Sequence, residues 1–258
     1  MSSVHEQLGQ SLLTARSTRE AIAPVRETLP EGTIADAYAI QTVQRDRLLA
    51  EGRELIGHKI GLTSLAMQQQ LGVDSPDFGF VLDDMVFEAG SSIPVDAFIE
   101  PKVEPELAFR LSKDISASAT LDDLKDSIEG VYPAIEIIDS RIKNWDIKLI
   151  DTISDNASCG AIVVGKQPLD IEFDDLPGVS CTLLIDGEEK AKGEGKDVMG
   201  HPLEPLLWLA GVLAEQGEGL KAGQVVLTGS FTQALPVVRG EQVTAHYDGY
   251  GELQLVFS

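Results

Sequence analysis

Hydrophobic and polar positions change their period near residue 55. Before that point apolar residues recur at helical spacing. SVHEQLGQSLLTAR (3–16) reads as one helix and TIADAYAIQTVQRDRLLAEG (33–52) as a second, with Thr33 or Asp36 as N-cap and Gly52 as the stop. APVRETLPEGT between them is a connector punctuated by Pro and Gly. Beyond residue 55, short β-rich runs alternate with turns: LIGHKIGLT, GFVLDDMVF, SSIPV, FIEPKVEPELAFRL, GVYPAIEIIDSR, CGAIVVG, VSCTLLIDGEE, QVVLTGS and EQVTAHYDGYGELQLVFS. Three helical patterns interrupt them, SLAMQQQLG, TLDDLKDSIEG and HPLEPLLWLAGVLAEQG. The strands are too many and too irregularly interleaved for a repeating βαβ wheel. The pattern predicts an α+β protein: a helical N-terminal segment (1–54), then a mostly antiparallel or mixed β core with covering helices (55–258).

Strand alternation sharpens one stretch, KVEPELAF (102–109). Residues two apart on a strand share a face, so Glu104, Glu106 and Ala108 point one way and Val103, Leu107 and Phe109 point into a core. The two glutamate Cα atoms then lie ~7 Å apart, close enough for both side chains to converge on one ion. PAIEIIDSR sets Glu136 between Ile135 and Ile137, where a lone carboxylate is costly unless paired or coordinated. Three glutamates from two strands make an oxygen-only site suited to Mg²⁺ or Mn²⁺ rather than zinc. The bland alternative is a solvated strand face.

Lys59, in GHKIGLTS, sits among small and apolar residues. Desolvation would lower its pKa and fit it for proton transfer, whereas a strand-edge lysine would snorkel to water. His58 alternates to the other face as a packing or surface residue. SPDFGF carries Asp77 in a turn, and ISDNASCGAIVVG carries Asp155, Asn156 and Ser158 just before a strand. VLTGSFTQALPV, with Thr228 and Ser230, is small and polar where a strand ends, and is either a donor of backbone amides to a carboxylate or a turn. Loops at strand ends are where sites are built, which makes Asp155, Asn156, Ser158, Thr228 and Ser230 candidate substrate contacts. KGEGKDVMGHP is Gly-rich but lacks phosphate-loop spacing.

Composition narrows the partners. The formal net charge of −22 repels phosphate backbones and anionic lipid, excluding nucleic acid and membrane surfaces as expected partners. An anionic substrate would need a local positive centre. The two cysteines, Cys159 and Cys181, have neither metal-ligand spacing nor a disulfide framework, which points to a reduced, cytoplasmic setting. The N-terminal stretch reads as no signal peptide, and no apolar run approaches the ~20 residues of a membrane span.

Taken in order, KIGLTS, GVDSPDFG, IEPKVEPELAF, PAIEIIDSR, DNASCG, GHPLEPLLWLA and VLTGS resemble the 2-hydroxypenta-2,4-dienoate (2-keto-4-pentenoate) hydratases of the fumarylacetoacetate hydrolase superfamily, from about Asp36 to the C-terminus. The resemblance implies a mixed β-sandwich roll with flanking helices and a Mg²⁺ or Mn²⁺ ion held by carboxylates at Glu104, Glu106 and Glu136. It puts the family's lysine at Lys59 and its active-site aspartate at Asp77. It further implies a small anionic 2-hydroxydienoate or 2-oxo acid substrate, meta-cleavage catabolism of aromatic or steroid compounds, and a homo-oligomer (pentamer or decamer). Association with the next pathway enzyme, an aldolase, belongs to the same expectation. The related 4-oxalocrotonate decarboxylases share the lysine, the glutamates and DNAS, and EIIDSR leans towards them. The longer IKNWDIKLIDTISDNASCG and GHPLEPLLWLA favour the hydratases. A decarboxylase substrate carries a second carboxylate and asks for a distal cation, for which Arg141 and Lys143 are candidates by chain proximity alone. A degenerate scaffold of the same fold is the non-enzyme reading, and intact Lys59, Glu104, Glu106 and Glu136 argue against it.

Overall fold

The computed structural model describes residues 2–64, 68 and 75–258. The helix expected at SLAMQQQLG lies outside the described residues except at Ser64 and Gln68. Three helices lead the chain: α1 (Ser3–Thr18), α2 (Val25–Thr28) and α3 (Ile34–Ala50). Both N-cap candidates of α3 act together. Thr33 Oγ1 accepts from the Asp36 amide at 3.2 Å, and Asp36 Oδ2 accepts from the Thr33 amide at 2.8 Å, a capping box that satisfies two orphan donors. Leu8 and Leu12 of α1 pack with Ile40 of α3, Val25 and Ile142 in a small core of their own.

The β region forms two sheets. The larger contains β1 (Leu55–Gly61), β2 (Asp77–Leu82), β3 (Val86–Glu88), β5 (Lys102–Leu111), β6 (Ile128–Ile138), β7 (Cys159–Val164), β10 (Val225–Ser230) and β11 (Leu235–Pro236). The smaller contains β4 (Ser92–Ile93), β8 (Ser180–Ile185), β9 (Glu188–Glu194), β12 (Gln242–Tyr247) and β13 (Gly251–Phe257). The first runs β2-β1-β10-β5-β6-β7-β3 with β11 added to β5, and the second β4-β13-β12-β8-β9. β1 pairs parallel with β10 and β3 parallel with β7, while the other pairs of the large sheet are antiparallel. β2 and β7 approach one another although they are not neighbours in the sheet, so the large sheet curls into a roll. Two further helices, α4 (Leu121–Lys125) and α6 (Glu204–Glu215), fall where TLDDLKDSIEG and HPLEPLLWLAGVLAEQG predict them, and α5 (Leu149–Ser154) precedes β7. This is the mixed α+β architecture read from the pattern, with the sandwich-like roll that the resemblance implies.

The main core lies between the sheets. Val103, Leu107, Phe109, Ile135 and Ile137 face Leu183, Val243, Ala245 and Leu255, all nearly or fully buried. Tyr247 crosses this layer: its hydroxyl donates to the carbonyl of Glu106 and lies 3.1 Å from that of Ala134, pinning β5 and β6 from behind. The opposite face of β5 and β6, inside the roll, is where the carboxylates point. Among the described residues no helix is long and apolar enough to cross a membrane.

Candidate active site

Pairing of β5 with β6 sets Glu104 directly opposite Glu136 and Glu106 opposite Ala134. One carboxylate oxygen from each of Glu104, Glu106 and Glu136 lies within 4.8 Å of the others. Glu136 and Glu106 are buried, at 0% and 1% exposure, and Glu104 is half-buried. Glu106 Oε2 accepts a 2.8 Å hydrogen bond from the Gly229 amide, so VLTGS does give a backbone donor to a carboxylate, in this case one of the protein's own. Gly229 has φ +111, and a Cβ there would stand 2.0 Å from Thr63 Oγ1, so only glycine lets the amide approach.

Glu136 stands out energetically. Neither of its buried oxygens accepts a hydrogen bond from the described residues. Lys59 Nζ lies 3.3 Å from Glu136 Oε1, an ion pair without aligned hydrogen bonding, and spends a proton on the Ala157 carbonyl at 2.9 Å. A buried carboxylate with unused lone pairs, facing two more carboxylates, is costly unless a cation completes it. The oxygen-only donor set, the mutual distances and the orphaned oxygens fit a divalent hard cation.

Without such a cation the carboxyls hold on to protons. Burial, then the Glu136 charge, pushes Glu104 up to about 7. Burial and both glutamate neighbours push Glu106 well above the usual range. Burial also raises Glu136, against the pull of Lys59. Lys59 departs from the expectation of a lowered pKa. Burial does oppose its charge, but Glu136 and Asp77 more than offset this and raise it. The ammonium is a locked counter-ion in the metal-free site.

Lys59 projects into the roll from between Gly57 and Gly61. A Cβ at Gly61 would sit 2.4 Å from Asp77 Oδ1 and 3.2 Å from Lys59 Nζ, so the absent side chain is the space in which these two groups meet. Asp77 is the first residue of β2, paired with Gly61, rather than part of a turn. Its Oδ1 is buried and accepts no hydrogen bond from the described residues, and burial raises its pKa against the opposing charge of Lys59. His58 points the other way, buried with its ring edge-on to Phe78 at 6.1 Å, and burial pushes it down to about 4, a neutral packing histidine.

Residues 58–257 match the family described as "Fumarylacetoacetate (FAA) hydrolase C-terminal". The chain belongs to the fumarylacetoacetate hydrolase family. It is 40% identical over 253 residues to a 2-keto-4-pentenoate hydratase of Paraburkholderia xenovorans (strain LB400), covering 98% of this chain and 94% of that protein. It is 39% identical over 256 residues to a 2-hydroxyhexa-2,4-dienoate hydratase of Comamonas testosteroni, covering 98% and 97%. The solved 4-oxalocrotonate decarboxylase from Pseudomonas putida G7, complexed with magnesium and adipate, superposes with a TM-score of 0.94 at 34% identity, covering 98% and 97%.

The remaining candidate residues divide in this fumarylacetoacetate hydrolase-family site. Asp155 is buried and committed to Arg141, whose Nε lies 2.6 Å from Asp155 Oδ1 and whose amide donates to Oδ2 at 2.8 Å. Asn156 is spent on β2: its Oδ1 accepts from the Phe80 amide at 2.8 Å and its Nδ2 donates to the Phe80 carbonyl at 2.9 Å. Ser158 Oγ is 3.2 Å from Thr152 Oγ1. Asn156, Ala157 and Ser158 have φ of 55, 50 and 55, three successive left-handed non-glycine residues. Such strain persists only where the surroundings over-determine it. Here those three side-chain anchors do so, and the product is an Ala157 carbonyl aimed at Lys59. The DNAS stretch thus meets the site through its backbone. Thr228 is buried and Ser230 half-buried on either side of Gly229, with Ser230 paired to Glu106 across β10 and β5. Arg141 also donates to the Cys159 carbonyl at 3.0 Å and to the carbonyls of Asp139 and Asp155, which leaves it no freedom as a distal cation. Lys143 is exposed.

Sequence reasoning missed Tyr38, Gly61 and Cys159. Tyr38 of α3 stacks on Phe78 at 4.7 Å, and burial together with the nearby Asp77 charge raises its phenol. The Cys159 thiol, also raised by burial, adjoins Glu136. Tyr38 lies inside the stretch of resemblance that begins at about Asp36, but its meeting with Asp77 depends on how α3 docks.

Proposed function

We propose that this protein is a divalent-metal-dependent hydro-lyase that adds water to 2-hydroxypenta-2,4-dienoate, or a short alkyl homologue, to give a 4-hydroxy-2-oxo acid in meta-cleavage catabolism. The observation that carries this reading is the single polar cluster of Lys59, Asp77, Glu104, Glu106 and Glu136, inside a chain whose full-length relatives at about 40% identity are named hydratases.

Glu104, Glu106 and Glu136 would hold Mg²⁺ or Mn²⁺. When bound, the ion supplies Lewis-acid polarisation and a positive centre for a small anionic 2-oxo or 2-hydroxy acid. The chain's own groups do the rest. Lys59, kept protonated and pinned by the Ala157 carbonyl, holds a proton at the C2 oxygen as the dienol converts to the 2-oxo form. Conversion takes the proton off the C2 hydroxyl and delivers one to C5, a net transfer through solvent, and moves the double bond into conjugation. Asp77, whose Oδ1 has no hydrogen-bond partner among the described residues, accepts a proton from the water that attacks C4 and returns it to C3 of the resulting enolate. Gly229 orients Glu106, and Tyr38 flanks Asp77 on the side of α3. Asp155, Asn156 and Ser158 serve as positioning residues behind Ala157, while Thr228 and Ser230 are the nearer candidates for substrate contact.

In this reading residues 55–258 are the catalytic unit and residues 1–54 a helical segment that brings Tyr38 to it. The buried free thiols of Cys159 and Cys181 support a reducing, cytoplasmic setting. A homo-oligomer, pentamer or decamer, and association with a following aldolase complete the proposal.

The test is to incubate the purified protein with Mg²⁺ and 2-hydroxypenta-2,4-dienoate, follow loss of the dienol absorbance, and identify the product by mass as the substrate plus one water. The likeness to the 4-oxalocrotonate decarboxylase keeps one rival in view. Release of CO₂ from 4-oxalocrotonate at a higher kcat/KM than hydration of the monoacid would replace the hydratase assignment with decarboxylation.

A further inference from the structure

Two glutamines of α3, Gln41 and Gln44, are each only 5% exposed. A buried amide is costly unless its hydrogen-bonding groups are used. These are used at two places that the fold leaves open. β2 ends the strand order of the large sheet, so the backbone groups on its outer edge need other partners. Asn156 takes both those of Phe80, and Gln41 Nε2 donates to the Phe78 carbonyl at 2.9 Å. The second opening is the C-terminal end of α5, whose last carbonyls have no donor within the helix. Gln41 Nε2 donates to the Ile153 carbonyl at 3.0 Å, and Gln44 Nε2 to the Ser154 carbonyl at 2.7 Å. Gln41 thus spends its amide hydrogens on two elements, β2 and α5. Gln44 spends its own on α5 and, at 3.2 Å, on Ile40 of its own helix.

We propose that Gln41 is a positioning residue that sets Asp77 against Lys59 from outside the roll. The inference rests on the reading that these two groups carry the proton transfers of hydration. Asp77 opens β2, so the first outer-edge anchor after it is the Phe78 carbonyl that Gln41 holds. On the other side, Ile153 leads through Asn156 to Ala157, whose carbonyl accepts from Lys59 Nζ at 2.9 Å. One amide therefore ties the strand that bears the base to the segment that pins the ammonium. Tyr38, one turn earlier on α3, stacks on Phe78 at 4.7 Å and covers the same joint. Glu104, Glu106 and Glu136 lie on β5 and β6, to which Gln41 makes no hydrogen bond among the described residues. Its effect falls on the alignment of Asp77 with Lys59 and leaves the carboxylate cluster in place.

Gln41→Met and Gln44→Met test it as a pair, since each keeps the length of the side chain and removes both donors, and only the first unties β2. Both are assayed with Mg²⁺ and 2-hydroxypenta-2,4-dienoate. Gln41→Met is expected to lower kcat by about 10–10²-fold, the scale of a small misplacement, with KM and the Mg²⁺ Kd within about threefold of wild type. Gln44→Met should keep kcat within about threefold. Amide hydrogen exchange should rise in both 77–82 and 153–159 for Gln41→Met, and in 153–159 alone for Gln44→Met. Equal losses of kcat in the two variants, a kcat for Gln41→Met within about twofold of wild type, or a loss confined to KM or Mg²⁺ affinity overturns the proposal. Should Gln41→Met not fold, Gln41→Asn keeps the amide on a stem one methylene shorter, which cannot span both carbonyls, and is held to the same limits. Failure of the hydratase reading looks different, because the wild type then hydrates no dienoate. Exchange decides in that case: a joint rise in Gln41→Met upholds the bridge, and a rise on one side alone overturns it.

Discussion

Glu104→Gln separates the two states of the carboxylate cluster, because it should stabilise one and cripple the other. At the 4.8 Å limit of their separation, each pair of ionised glutamates repels by 332/(20 × 4.8), about 3.5 kcal/mol at an effective dielectric of about 20. The metal-free protein evades part of this by leaving Glu104 protonated up to about 7 instead of its ordinary 4.5. Ionising it above that pH therefore costs on the order of 3 kcal/mol, at about 1.4 kcal/mol per pH unit. Glutamine keeps the shape and removes the charge. It also leaves the Lys59–Glu136 pair in place, which Glu136→Gln would not. With allowance for an amide less well satisfied than in water, the variant should gain about 1–3 kcal/mol at pH 8 in chelator, or roughly 2–8 °C in Tm for a chain of this size. With Mg²⁺ the order reverses. Wild type gains RT ln(1 + [Mg²⁺]/Kd), about 2.7 kcal/mol at one hundred times Kd, while a site with one ligand neutralised gains little. Thermal unfolding of both proteins at pH 8, in chelator and in saturating Mg²⁺, reads all four values. A variant that melts below wild type in chelator, or that rises as far as wild type with Mg²⁺, refutes the reasoning.

Three other outcomes are expected. Lys59→Met, folded and Mg²⁺-loaded, should lose about 10²-fold or more in kcat on the dienoate, the scale of a lost proton donor; near-wild-type turnover would reduce Lys59 to a counter-ion. Gly61→Ala brings a Cβ to 2.4 Å from Asp77 Oδ1, so Asp77 must move. The expected cost is about 10²-fold in kcat with only about 1–3 kcal/mol in denaturant-measured stability, and a kcat within a few-fold of wild type would show the contact to be slack. The third concerns pH. Because the folded-state pKa of Glu104 is raised, the native state binds the extra proton between about 4.5 and 7, so metal-free stability falls as pH rises through that window while Mg²⁺ affinity climbs. Titration calorimetry from pH 5.5 to 8 should show proton release on binding that drops through about 7 by the share Glu104 contributes, leaving that of Glu106, and pH-independent affinity would contradict the raised carboxyls.

The parts of the site legible in the sequence were those governed by local periodicity. Alternation alone separates Glu104 and Glu106 from Val103, Leu107 and Phe109, and the two sets do occupy opposite faces of β5. Flanking isoleucines mark Glu136 as a buried carboxylate. What alternation leaves open is register, and it is register that brings Glu136 opposite Glu104. SPDFGF has the Pro, Asp and Gly of a turn, yet pairing with β1 turns Asp77 into a strand residue whose partner is Gly61. The strength of that pairing overrides the local turn chemistry. Polar residues before β7 look like ligands from composition, but Asp155 and Asn156 have their hydrogen bonds filled by Arg141 and Phe80. Whether a polar side chain has capacity to spare is a tertiary fact. Tyr38 carries no local mark at all. Its relevance comes from the docking of α3.

The reversal at Lys59 bears on how an acidic chain tolerates this site. Taken alone, a buried lysine sheds its proton; set among buried carboxylates, it keeps it, since losing it would strand Glu136 with no positive neighbour. Lys59 and retained protons on Glu104 and Glu106 are therefore two ways of neutralising the same excess of negative charge. A divalent ion would supply two positive charges at once. The glutamates would then release their protons, two positive charges replacing two, so the net charge facing Lys59 stays the same and the ammonium keeps its reason to remain protonated. On this argument loading the glutamate cluster exchanges protons for a cation without stripping Lys59 of its charge, and Glu136, in contact with both, is the residue at which the two neutralising devices meet.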